Sequence, residues 1–150
     1  MGAFSSMGGT LATLRGVPKY LTLRVRGTIL GQRVLVLVDS GATHSFIDTQ
    51  LVQRRGIHIA DFEGFSVLVL GARTMQCAKY VPTLTITLET YTLTYHFFIF
   101  DILDAKLILG VQWLITLGKV TTYWETFEME WTNKGSGKHQ KIKVIHTYPP

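Results

Sequence analysis

The sequence predicts an all-β domain with one or two short helices, and three observations carry that prediction. From residue 21 onward the chain is a succession of short runs alternating apolar and polar residues, the period of half-buried strands, separated by glycines and other turn signals. Only two stretches, around Leu51 and around Trp113, read as helix, and both are short. One run, residues 34–38, is apolar without a break and rich in branched side chains, which suits a strand buried on both faces.

Residues 1–16 are small, polar and glycine-rich and read as a flexible leader. Residues 21–26 alternate apolar and polar, and a turn centred near Gly31 joins them to the 34–38 strand as a hairpin. Ser45 or Asp48 is placed to cap a helix that runs to Arg55, turns Leu51 and Val52 inward and closes at Gly56. A second hairpin pairs 65–70 with 75–80 across a turn at Gly71, Ala72 and Arg73. A third pairs 83–89 with 92–100, alternating threonine with apolar or aromatic residues, the pattern of a sheet packed on one side. Residues 107–109 form an apolar strand ended by Gly110, and 111–117 a helix burying Trp113 and Leu114. Two more strands follow at 120–124 and 127–131, then a break at 133–137 and a candidate last strand at 142–145. Trp113, Trp124 and Trp131 are expected in core or sheet packing. The expected division is a leader at 1–16, a β domain at 17–132 and a basic tail at 133–150.

With 150 residues, 47% of them hydrophobic, the chain can bury a core of its own. Its apolar runs are broken by charges and turns well short of membrane-spanning length, so no membrane partner is expected. No basic start leads into an apolar stretch, so no secretory signal is expected either. The single Cys77 excludes an internal disulfide framework and reads as a small apolar residue on a strand. The net charge of +5 could suggest nucleic acid, but the cations scatter: Lys134, Lys138, Lys141 and Lys143 crowd the tail while Arg24 and Arg26 lie on a strand. A solvated tail explains them better, and a nucleic-acid partner is not expected. The five histidines show no paired metal-ligand spacing, so neither a metal nor any other cofactor is expected.

The chemistry points to the end of the 34–38 strand, where the apolar run stops at Asp39 and Ser40 and Gly41 follow at once. A carboxylate at the end of a buried strand is costly unless paired, hydrogen-bonded or protonated. Gly41 lets the backbone turn sharply, and the Ser40 hydroxyl can fasten the turn. A nucleophilic Ser40 is not expected, because no base is implied beside it, and His44 reads as a surface or core histidine after the turn. Asp48, Asp61, Asp101 and Asp104 lack this setting and read as loop or cap residues.

Three stretches together carry a family resemblance. Asp39-Ser40-Gly41 sits in an apolar strand and is followed by Ala42-Thr43-His44-Ser45-Phe46-Ile47; a glycine-tipped hairpin around Gly71 precedes Cys77; and Ile108-Leu109-Gly110 leads into Trp113-Leu114. The chain resembles the retropepsins, the single-lobe aspartic proteases of retroviruses and long-terminal-repeat retrotransposons, and especially the protease of plant Ty3/Gypsy-type elements. Departures are minor: Ser40 replaces a threonine, Gln112 stands where many relatives carry an acid, and Tyr123 precedes Trp124 where an aspartate is common.

The resemblance implies a closed or partly open β-barrel that is active as a symmetric homodimer. It implies an aspartic endopeptidase acting on a peptide or polyprotein, within a retrotransposon particle and so in an intracellular, cytoplasmic setting. Asp39, Ser40 and Gly41 would be catalytic; Ala42, Leu70, Gly71, Ala72, Arg73 and Ile108 would contact substrate, with the 67–80 hairpin as flap. Because only one Asp-Ser-Gly occurs, the second carboxylate must come from another copy. The competing reading is a non-catalytic dimerisation or peptide-binding module that keeps the same fold.

Overall fold

A computed structural model describes residues 22–69, 73–103 and 105–145, with backbone alone at 68, 69, 73 and 74. Strand β1 (Leu23–Ile29) turns through Leu30 and Gly31, both at positive φ, into β2 (Gln32–Val38). The short β3 (Phe46–Asp48) runs into helix α1 (Thr49–Arg55), closed by Gly56 in the left-handed conformation. The strands β4 (Ala60–Val69), β5 (Arg73–Leu88) and β6 (Tyr91–Phe100) form a meander. The chain then returns through β7 (Leu107–Leu109) and helix α2 (Val111–Leu117). It ends in β8 (Val120–Tyr123), β9 (Glu128–Thr132) and β10 (His139–Lys143).

The large sheet runs β1-β2-β7-β3-β6-β5-β4, and a further β1–β5 pairing closes its first six strands into a barrel. Closure needs Gly27, which pairs with Val34 on one side and Leu88 on the other. A Cβ there would lie 2.8 Å from a Val36 methyl, too close for any side chain. The second sheet, β10-β9-β8, packs Met129, Trp131 and Ile142 into the same core as Val36, Val38 and Leu109. Leu37 faces the other way, toward Ala42, Phe46, Val67 and Ile108. The 34–38 run is therefore buried on both faces, as its unbroken apolar character implied.

Three expectations are revised. The second and third hairpins share one strand, since β5 continues through Pro82. Proline has no N–H to give the ladder, and the β5–β6 register slips between Val81 and Leu84 at that point. The last strand, expected at 142–145, begins earlier, as β10 at His139–Lys143: its lysines face water while Ile142 and Val144 are buried. Trp124 is not in the core; it stands in the β8–β9 turn, 63% exposed. The leader at 1–16 lies outside the described residues.

Candidate active site

Asp39 follows β2 directly and is buried, while its neighbours Ser40 and Gly41 are exposed. Its backbone N–H donates to the Leu109 carbonyl at 2.9 Å, continuing the parallel β2–β7 ladder by one step. Its carbonyl accepts from the Ala42 N–H at 3.1 Å, closing a tight turn. Inside that turn the Gly41 N–H donates to Asp39 Oδ1 at 2.8 Å. A charge-assisted bond of this kind favours an ionised oxygen and fixes the carboxylate plane.

The loop after Asp39 is clamped by the Ile108-Leu109-Gly110 segment. The Gly110 N–H donates to the buried Ser45 Oγ at 3.0 Å, and the Val111 N–H donates to the Ala42 carbonyl at 2.6 Å. A Cβ on Gly110 would clash with the His44 carbonyl oxygen and lie 2.7 Å from that of Ala42. Glycine is therefore required by close approach of two backbones, since the Gly110 φ of −95° is open to any residue. The sequence placed these two motifs but not their contact, and Ser45, a candidate helix cap, serves instead as the acceptor that joins them.

Asp48 is the second buried carboxylate among the described residues. It occupies the N-cap position of α1 yet makes no capping bond. Instead it accepts the Ile102 N–H at 2.9 Å and faces Lys106 Nζ at 3.6 Å. Its backbone N–H bonds to the Lys106 carbonyl, whereas that of Asp39 bonds to the Leu109 carbonyl. The two acids thus sit at opposite ends of β7, about 10 Å apart at strand spacing, and cannot share a water molecule within one chain.

His44 connects the loop to the hairpin strands. Its ring stacks on Phe65 of β4 at 4.9 Å and meets Phe98 of β6 edge-on at 5.2 Å. Its Nδ1 is buried without a hydrogen-bond partner. Burial, and secondarily the nearby His96, hold its pKa below the usual imidazole value. Cys77 on β5 is also buried, and burial pushes its thiol up to about 11, the mark of an unreactive side chain.

The other predicted contact residues divide. Ala42 and Ile108 are completely buried in the core cluster that also holds Leu37, Phe46 and Val67, and their side chains present no surface in the single chain. Leu70, Gly71 and Ala72, with the side chain of Arg73, lie outside the described residues; the β4 and β5 backbones that carry them pair as far as Val69 and Arg73. Asp61 lies on β4 in an exposed ion pair with Lys79 at 2.7 Å, Asp101 is exposed, and Asp104 lies outside the described residues. Among the described residues no three acids, histidines or cysteines gather as a metal site, and no helix is long and apolar enough to cross a membrane.

A six-stranded barrel with a buried aspartate in a Ser-Gly turn, clamped by an apolar strand ending in glycine, defines the retropepsin-like class of domain. The chain belongs to the retroviral aspartyl protease family, whose profile matches residues 24–127. In fold it is similar to the crystal structure of the retroviral protease-like domain of Ddi1 from Leishmania major, with a TM-score of 0.59. That likeness holds at 17% identity and covers 88% of this chain and 99% of the other. A comparison with curated proteins found no sequence match.

Proposed function

We propose that the protein is an aspartic endopeptidase whose active site forms between two copies of the chain, each contributing Asp39. The observation that carries this reading is the Asp39 carboxylate itself, buried at a strand end with one oxygen fixed by the Gly41 N–H. Peptide hydrolysis by such a pair needs one ionised carboxylate to take a proton from water and one protonated carboxyl to polarise the scissile carbonyl. Two carboxylates in contact cannot both ionise, so they share a proton, and their apparent pKa values belong to the pair. One chain would supply half of this arrangement, because the other buried acid among the described residues, Asp48, is engaged at the far end of β7. Ser40, exposed at the turn, would bond across the two-fold axis and tie the two loops together.

The β4–β5 hairpin would close over an extended peptide and exclude water, with main-chain bonds supplying much of the affinity. The motif likeness to Ty3/Gypsy-type elements supports polyprotein processing as the biological task. The test is cleavage of a mixed peptide library at mildly acidic pH by the wild type and by Asp39→Asn. Cleavage sensitive to pepstatin-like transition-state mimics, and absent in a correctly folded Asp39→Asn, is expected. Full activity in that variant would overturn the reading.

A further inference from the structure

The β1–β2 hairpin gathers three arginines on the outside of the barrel. Val25, Ile29, Val34 and Val36 turn into the core, so strand alternation turns Arg24, Arg26 and Arg33 to the other face, beside Leu35. Arg26 pairs with Leu35, and Arg33 lies two residues further along that neighbouring strand, roughly 8 Å from Arg26 between Cα atoms. A groove of about 310 Å³ opens here, with Arg26 and Arg33 as its charged lining and Val34, Leu35 and Ile145 as its apolar lining. Ile145 is brought there by the chain after β10, where its N–H donates to the Arg24 carbonyl at 2.7 Å.

These arginines have no counter-ion. Among the described residues no acid lines the groove, and neither Arg26 nor Arg33 forms an ion pair or a side-chain hydrogen bond. On the same face of β1, Arg24 Nε is buried without a partner. Of the residues outside the described ones, only Asp104 is acidic. Like charges held side by side repel, more strongly over apolar surface than in open water. The arrangement therefore favours an anion arriving from outside. Guanidinium forks match carboxylates, which they bind through two parallel bonds. The apolar lining suits an aliphatic side chain beside the charge. A single-stranded nucleic acid would call for rings to stack its bases, and no aromatic residue lines this groove.

We propose that this groove docks an acidic peptide segment of a partner protein, with carboxylates on Arg26 and Arg33 and an aliphatic side chain against Leu35 and Ile145. Charge complementarity and the apolar lining together choose that occupant. The groove is separate from the candidate active site, because Arg33 stands near the opposite end of β2 from Asp39, roughly 20 Å away at strand spacing. The proposal does not rest on the endopeptidase reading.

The test is fluorescence anisotropy of the full chain at neutral pH with a short labelled peptide in which pairs of glutamates and leucines alternate, so that each face of the extended strand carries both. The wild type should bind it, and Arg26→Gln and Arg33→Gln should each weaken binding about tenfold. Both arginines are exposed and unpaired, so these variants should melt like the wild type. Glutamine in place of the glutamates, or serine in place of the leucines, should weaken the peptide likewise. Lys138→Gln, which removes an exposed cation in the β9–β10 turn, should leave affinity unchanged, as should Asp104→Asn. No binding, arginine variants that bind like the wild type, or a serine-containing peptide that binds as well as the leucine one would each overturn the proposal. So would displacement by a pepstatin-like inhibitor, which would place the peptide at Asp39, or stronger binding of oligothymidylate, which would make the patch a nucleic-acid surface. A tenfold gain in Asp104→Asn would show the arginines already answered within the chain. Self-association lost in both arginine variants would assign the groove to a second copy. Either result would also overturn it.

Discussion

The two buried aspartates illustrate how one residue type is put to two uses by its surroundings. Asp39 is buried beside the exposed Ser40 and Gly41, and its Oδ1 accepts the Gly41 N–H of the turn that follows it. Asp48 is turned inward onto the Ile102 N–H and Lys106 Nζ, fastening β3 to the segment that precedes β7. Asp48→Ala would leave a buried N–H without an acceptor, which costs about 2 kcal/mol. Denaturant unfolding should show that loss, and Asp48→Asn, which keeps an acceptor oxygen, should recover part of it. Asp39→Asn should retain near wild-type stability, since its remaining carbonyl oxygen can still accept from Gly41. The sequence distinguished these two residues by context, because only Asp39 is followed by Ser-Gly after an apolar strand. The partner of Asp48 was not legible, because Ile102 lies 54 residues away and is met only when β3 and β6 pair side by side.

At the scale of elements, the loop that carries Asp39 is held from two directions. Below it, α2 begins where β7 ends, and the fit depends on Gly110 having no side chain. Gly110→Ala should cost about 3 kcal/mol, since backbone rather than a yielding side chain stands in the way. Thermal unfolding should register this, with cleavage falling further than stability alone explains because the clash falls on the loop that carries Asp39. Above it, the His44 ring bridges to Phe65 and Phe98. The groups facing that ring are aromatic apart from His96, whose charge would oppose protonation. With a lowered folded-state pKa, neutral His44 is favoured in the fold. Its contribution is present above the usual imidazole value of 6.5 and is lost as pH falls through the folded value. Melting temperatures across mildly acidic pH should therefore fall more for the wild type than for His44→Phe, and equal slopes would show that the ring does not couple to folding. The Asp-Ser-Gly and Ile-Leu-Gly motifs were visible in the sequence. Their mutual clamp was not, because it is built from carbonyls and amides that any residue carries, and only Ser45 Oγ and the absent Gly110 side chain leave a trace.

For the whole molecule, the core was legible where patterning was strong: the alternating strands and the doubly buried 34–38 run follow from periodicity, whereas the β1–β5 pairing at Gly27 that closes the barrel left no sign in it. The outward position of Trp124 was harder to read, since an aromatic residue after a strand suggests packing and nothing local shows that it falls in an exposed turn. A half-site also imposes a stoichiometric consequence that no single-chain enzyme shares. If each chain provides one of two required carboxylates, Asp39→Asn should poison wild-type partners as well as lose its own activity. In an equal mixture at fixed total protein, with free exchange of subunits, half of the dimers are mixed and only about a quarter carry two intact aspartates. Cleavage should then fall to about a quarter of the unmixed wild-type rate, below the half expected from dilution alone. Measured after equilibration at a concentration where the wild type is dimeric, a rate near one half would mean that each chain acts on its own, and one near about three quarters that a single Asp39 per dimer suffices. A rate near one quarter would identify the reacting unit as two copies of this chain, each contributing the same aspartate.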